Sequence, residues 1–152
     1  MQLTRHLPAE ADTLALGAAV AAGLTPGMVI YLRGELGAGK TTLARGLLQS
    51  LGVTERIKSP TYTLVEPYIV SSLYLYHFDF YRLQHPDEWV DAGFRDYFSS
   101  GAVCLVEWPD KAGAQLPAAD MTIDLATAGD ARKATLSADT EAGINCLRRL
   151  QT

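Results

Sequence analysis

The stretch from Gly34 to Thr42 reads Gly-Glu-Leu-Gly-Ala-Gly-Lys-Thr-Thr, and it restricts the fold more than any other part of the chain. It satisfies the template G-x-x-x-x-G-K-[ST], with Gly34, Gly39, Lys40 and Thr41 in the four specified places. Before it, Met28-Val29-Ile30-Tyr31-Leu32 is an apolar run rich in β-formers. After it, Leu43, Ala44, Leu47, Leu48 and Leu51 recur at helical spacing. Strand, glycine loop and helix are the context in which such a loop binds phosphate. Glycines let backbone N–H groups turn inward where a Cβ would collide, and the helix N-terminus adds its dipole. The residues from Gly37 through Ala38, Gly39, Lys40, Thr41 and Thr42 are therefore the candidate cradle for a nucleoside triphosphate. Lys40 can reach the β- and γ-phosphates, and the Thr41 hydroxyl can bind Mg²⁺.

The remaining elements fit around that unit. Leu3–Leu7 predicts a short edge strand, and a helix follows, with Pro8 at its first position and an apolar face from Leu14 to Leu24. The P-loop helix ends near Gly52, a C-cap residue. The β-branched and aromatic residues after Pro60 predict a strand, paired through a loop at Val70-Ser71-Ser72 with a second strand over Leu73–Phe80. Pro86–Phe98 predicts a helix, and Ala102–Val106, continuously apolar, a buried central strand. Met121–Leu125 and Arg132–Ala138 predict a hairpin turned at Gly129-Asp130, and Glu141–Leu150 a terminal helix. Alternating strands and helices around a P-loop imply an α/β fold of three layers. The expected architecture is a P-loop NTPase-like domain over residues 1–152, with a mixed, mostly parallel central sheet.

Two carboxylates stand where a phosphate site is reached, at or just past the ends of apolar strands. Asp79 ends Tyr74-Leu75-Tyr76-His77-Phe78, a run that resembles a Walker B strand, and Glu107 follows Ala102–Val106. Hydrolysis or transfer needs such acids to hold a metal and orient the nucleophile. Asp79 could bind Mg²⁺ directly or through water; Glu107 could hold the metal or align the attacking water. The plainer alternative for each is a solvated strand end or a local ion pair. Ser59-Pro60-Thr61 falls where a nucleotide-sensing loop would fall, so Thr61 is a candidate γ-phosphate contact, against the plainer alternative of a turn starting a strand. His77 alternates with aromatic residues and reads as a core or near-surface histidine. Arg82 could neutralise phosphate charge or pair at the surface. Trp108 could stack on a base, meet a partner or fill the core, and Arg132 could flank the nucleotide.

Composition bounds the rest. With 152 residues, 48% apolar and 20% charged, the chain suits one ordinary core. Its net charge of −4 provides no general field to attract nucleic acid or an anionic membrane. The N-terminal residues lack the pattern of a signal peptide, and no run approaches the roughly 18 apolar residues that span a bilayer. Cys104 and Cys146 have no metal-ligand spacing and read as reduced thiols, which suggests the cytoplasm.

Taken together, the glycine loop, Ser59-Pro60-Thr61-Tyr62-Thr63-Leu64-Val65, His77-Phe78-Asp79-Phe80-Tyr81-Arg82-Leu83 and Leu105-Val106-Glu107-Trp108-Pro109 resemble the TsaE family. These are small bacterial P-loop ATPases of tRNA threonylcarbamoyladenosine biosynthesis. The resemblance implies ATP hydrolysis with Mg²⁺ in company with the TsaB and TsaD proteins, and contact with tRNA through that complex. It makes Asp79 the Walker B acid, Glu107 the metal-linked or catalytic carboxylate, and Ser59–Thr63 a switch-like loop. A small-metabolite kinase shares the P-loop but usually adds an arginine-bearing lid, and no arginine-rich insertion is present. A guanine-specific switch would need Asn-Lys-x-Asp, whereas the single asparagine, Asn145, precedes Cys146.

Overall fold

The computed structural model describes residues 1–70, 73–99 and 101–151. Its elements run β1 (Gln2–Leu7), α1 (Glu10–Ala21), β2 (Val29–Arg33), α2 (Lys40–Ser50), β3 (Val65–Val70), β4 (Leu73–Asp79), α3 (Asp87–Asp91), β5 (Val103–Glu107), β6 (Met121–Ala128), β7 (Ala131–Ala138) and α4 (Glu141–Arg149). Seven strands form one sheet in the order β1-β7-β6-β2-β5-β4-β3. The pairs β6–β2, β2–β5 and β5–β4 are parallel. β7 runs against β6, β1 against β7 and β3 against β4, so β1 shares the direction of the four central strands. The sheet is mixed and mostly parallel, as expected.

Alternation along the central strands sorts two cores onto the two faces. Val103 and Leu105 of β5, with Ile30 and Leu32 of β2, join Leu16, Val20, Leu43, Leu47 and Leu147 from α1, α2 and α4 in one aliphatic core. Cys104 and Val106 face the other way, onto Phe78, Phe80 and Trp89. This second layer is made of α3 and two 3₁₀ segments, Phe94–Ser99 and Pro109–Gln115. Helices, sheet and short helices are the three layers.

Local departures from expectation have visible causes. Helix α1 starts at Glu10, after Pro8, with the Asp12 carboxylate accepting from the Ala9 N–H at 2.8 Å. The strand expected after Pro60 starts only at Val65. Leu64 takes a left-handed φ of 68°, and its N–H bonds the Pro60 carbonyl at 2.9 Å, which closes residues 60–64 into a turn. The helix expected over Pro86–Phe98 is interrupted by Gly93 at φ 83°, so that α3 gives way to a separate 3₁₀ segment. Of the predicted loop at Val70-Ser71-Ser72, Val70 ends β3, and Ser71 and Ser72 lie outside the described residues.

Candidate functional site

Strand register assembles the site. Leu32, the last apolar residue before the glycine loop, lies opposite Glu107 of β5, and Glu107 lies opposite Asp79 of β4. Because the three strands are parallel neighbours, their C-terminal ends open on the same side as the loop from Gly34 to Gly39. A single row across the sheet thus holds a loop entrance and two acids. Glu107 and Asp79 share the face of Leu105 and Leu75, the face that α2 covers.

The glycines of the loop meet distinct demands. A Cβ on Gly34 would sit 2.4 Å from the Leu125 carbonyl oxygen, so only glycine lets the loop leave β2 beside β6. Gly39, the N-cap of α2, has φ 105°, a conformation that side chains disfavour. Lys40, the first residue of α2, bends back over the loop and donates to the carbonyls of Gly34 at 2.6 Å and Glu35 at 3.0 Å. Its ammonium also lies 4.6 Å from the centre of the Trp108 ring. Burial lowers the Lys40 pKa below its usual value, while Glu107, Asp79 and Glu35 oppose that shift.

The acids are enclosed: Glu107 is 2% and Asp79 6% exposed. The Thr41 hydroxyl lies 3.3 Å and 3.4 Å from the two Glu107 oxygens. The second Glu107 oxygen, Oε2, lies 2.6 Å from His77 Nε2. Asp79 accepts from the Tyr81 N–H at 3.0 Å and from the Thr61 hydroxyl at 3.4 Å, and Thr61 in turn meets Ser59 at 2.7 Å. Burial raises the Asp79 pKa and nearby Glu107 adds to it, against the Tyr81 N–H, His77 and Thr61, which favour the ionised form.

Gly37, Gly39, Lys40, Thr41, Thr42, Thr61, Asp79, Glu107 and Trp108 all line one cleft of about 420 Å³. Ala38 is buried behind the loop. Arg132 lines an adjoining cleft of about 230 Å³, which shares Gly37, Gly39 and Thr42, and its guanidinium donates to the Gly37 carbonyl at 3.0 Å. The loop residues, Thr61, the two acids, Trp108 and Arg132 thus lie along two adjoining hollows that share Gly37, Gly39 and Thr42. Tyr81 and Leu36, which sequence reasoning passed over, also line the first cleft. Tyr81 follows directly from its place after Asp79; nothing in its residue type singles it out. Arg82 lines the cleft too, stacked 4.4 Å from the ring of Tyr62. A larger hollow, about 830 Å³, lies among β1, α1 and the end of α4 and shares no lining residue with the glycine loop. Asp12 is the single carboxylate among its described lining residues, so it offers no pair of acids.

Among the described residues no three His, Cys, Asp or Glu side chains gather as a metal cage. The acids in the cleft offer oxygen donors, each with a hydroxyl beside it: Thr41 at Glu107 and Thr61 at Asp79. That set suits Mg²⁺, which keeps few protein ligands and completes its shell with phosphate oxygens and water. No described helix is long and apolar enough to cross a membrane.

A parallel-centred three-layer sheet, a glycine loop capping α2 and two acids in register beside it define a P-loop nucleotide-binding protein. Residues 7–135 match the family model described as threonylcarbamoyl adenosine biosynthesis protein TsaE. The tRNA threonylcarbamoyladenosine biosynthesis protein TsaE of Haemophilus influenzae is 43% identical over 150 residues, covering 95% of each chain. Its Bacillus subtilis counterpart is 43% identical over 119 residues, 78% of this chain and 74% of that one. The crystal structure of Bacillus subtilis YdiB superposes with a TM-score of 0.83 at 33% identity, over 99% of this chain and 95% of the other. The chain belongs to the TsaE family, and its place is in tRNA modification.

Proposed function

We propose that this chain is a Mg²⁺-dependent ATPase that acts with the TsaB and TsaD proteins in forming N6-threonylcarbamoyladenosine next to the tRNA anticodon. The observation that carries the reading is the row of Leu32, Glu107 and Asp79, which sets two buried acids beside a phosphate loop. A loop that only gripped phosphate would need no such acids. Residues 1–152 work as one nucleotide-binding domain in the cytoplasm, and the net charge of −4 favours meeting tRNA through partners over binding it directly.

In this reading the backbone of Gly37, Ala38 and Gly39, with Lys40, Thr41 and Thr42, holds the phosphates. Lys40 exchanges the carbonyls of Gly34 and Glu35 for phosphate oxygens. Mg²⁺, taken by Thr41 with Asp79 and Glu107 alongside, supplies charge neutralisation at the phosphates. Glu107 aligns the attacking water, Thr61 senses the γ-phosphate end, and Trp108 shields that end from solvent. The adjoining cleft, lined by Thr42, Arg132 and the carboxylates of Glu10 and Asp130, would hold the ribose and base, the carboxylates being acceptors suited to an exocyclic amine.

The test is modified-adenosine content in tRNA incubated with TsaB, TsaD, threonylcarbamoyl-adenylate and ATP, with and without this protein. Product exceeding the amount of TsaD only when this chain and hydrolysable ATP are both present supports the reading. Product indifferent to the chain removes the tRNA role, and phosphate transfer to an acceptor without free phosphate release would favour a small-metabolite kinase. Glu107→Ala should keep ATP binding and lose hydrolysis by about 10²–10³-fold, read as phosphate release beside calorimetric binding. Equal loss of both would make Glu107 structural.

A further inference from the structure

His77 stands inside β4, fully buried, on the same face as Asp79 and diagonally across from Glu107 on β5. Its Nε2 meets Glu107 Oε2 at 2.6 Å, while its Nδ1 is buried without a hydrogen-bond partner among the described residues. The neighbours on that face, Leu75 and Leu105, are aliphatic. A histidine kept for packing would satisfy both nitrogens or give way to another leucine. Leaving a buried polar atom unpaired costs about 1–3 kcal/mol, so the single bond to Glu107 is the feature that explains the ring.

We infer that His77 is a positioning residue that fixes the carboxylate plane of Glu107; the inference rests on the hydrolase reading above. Among the described residues the carboxylate's other hydrogen bonds, both from the Thr41 hydroxyl, are long at 3.3 and 3.4 Å. The short bond from His77 therefore sets the rotation about the last side-chain torsion. It commits Oε2 to the interior of the sheet and leaves Oε1 for Thr41, metal or water. A carboxylate turned in advance loses no free energy to reorientation when charge develops on the phosphate. His77 itself is fully buried and is not among the residues lining the cleft, and no proton need move along the bond.

Two substitutions separate reach from bulk. A glutamine amide can occupy the place of Nε2, whereas an asparagine amide reaches only that of Nδ1. His77→Asn should lower kcat for ATP hydrolysis by about 10- to 100-fold, the range typical of groups that orient a metal-linked ligand. ATP affinity without Mg²⁺ should stay within about threefold of wild type, under 1 kcal/mol. His77→Gln should recover most of the rate. Thermal unfolding of both variants would show that folded protein is being compared. Wild-type rates in His77→Asn, or His77→Gln as slow as His77→Asn, would overturn the positioning role while leaving the hydrolase reading intact. No phosphate release from wild type, alone or with TsaB and TsaD, would overturn both.

Discussion

The two faces of the sheet solve the same problem, burying apolar strands, with opposite materials. On the nucleotide face, α1, α2 and α4 lay down an aliphatic core of Leu, Ile, Val and Ala. Helices α1 and α2 approach so closely there that a Cβ on Gly46 would sit 2.2 Å from the Leu14 carbonyl oxygen. On the other face no long helix is present among the described residues. Phe78 instead meets Phe80, Phe94, Tyr97 and Phe98, with ring centres 5.0–6.2 Å apart, and Trp89 meets Phe80 and Phe98. Backbone proximity holds one side and ring contacts hold the other. Asp79 and Glu107 end strands at the seam: the residues after them, Phe80 and Trp108, lead the chain into the aromatic layer. The aliphatic side thus supplies the loop and the Thr41 hydroxyl, and the aromatic side governs where the acids end.

That contrast can be broken by substitution. The largest effect is expected from Trp89→Ala, which removes a fully buried ring and the indole bond to the Ala112 carbonyl at 2.8 Å. It should cost about 3–5 kcal/mol in denaturant unfolding, yet leave ATP affinity of the remaining folded protein near wild type. If affinity falls in step, the aromatic layer shapes the phosphate loop as well. Next, Lys40→Ala should weaken ATP binding by about 1.5–3 kcal/mol, the worth of a bond to a charged group, measured by calorimetry. Gly46→Ala should destabilise by about 1–3 kcal/mol through overpacking on the aliphatic side alone, with the aromatic near-ultraviolet circular dichroism of the folded fraction unchanged.

The smallest effect on stability should come from Asp79→Asn, and its sign is the informative part. Burial holds the Asp79 pKa above its ordinary 3.8, so the folded state binds that proton more tightly than the unfolded one does. Its contribution to stability is complete below 3.8 and is lost as pH rises through the elevated folded value. At neutral pH the asparagine variant should therefore melt slightly higher than wild type while losing Mg²⁺-dependent hydrolysis. The difference in melting temperature should shrink as pH falls towards 3.8. A lower melting point at neutral pH would mean that the bonds from Tyr81 and Thr61 outweigh desolvation.

The loop, the acids and most strands could be read from the residues because each is announced locally. Gly34–Thr42 is a fixed-spacing motif, and Asp79 and Glu107 each end an apolar run. The His77–Glu107 bond could not be read the same way. It exists because β4 and β5 are sheet neighbours in register, and pairing between distant strands leaves no periodic trace in either one. Arg82 resting on Tyr62 is hidden for a similar reason. Residues 61–64 look like strand by composition, but a left-handed Leu64 turns them into a loop whose carbonyl receives the Asp79 N–H at 2.9 Å. Gly93 divides an otherwise helical pattern because Phe94, Tyr97 and Phe98 must pack on Phe78, and tertiary contact outweighs helix propensity.

The edge formed by β1 has a consequence for how the protein is made. Gln2 pairs with Ser137 and Leu7 with Arg132, and the Met1 amine donates to the Ala138 carbonyl, 137 positions later. On a ribosome moving at about 5–20 residues per second, β1 emerges on the order of ten seconds before the strand that will receive it. Through that interval the nascent chain carries an unpaired ribbon next to a growing aliphatic surface, a state open to wrong pairings with neighbouring chains. The alternating polar residues of β1, Gln2, Thr4 and His6 among them, fit a strand that must wait in water before it is enclosed.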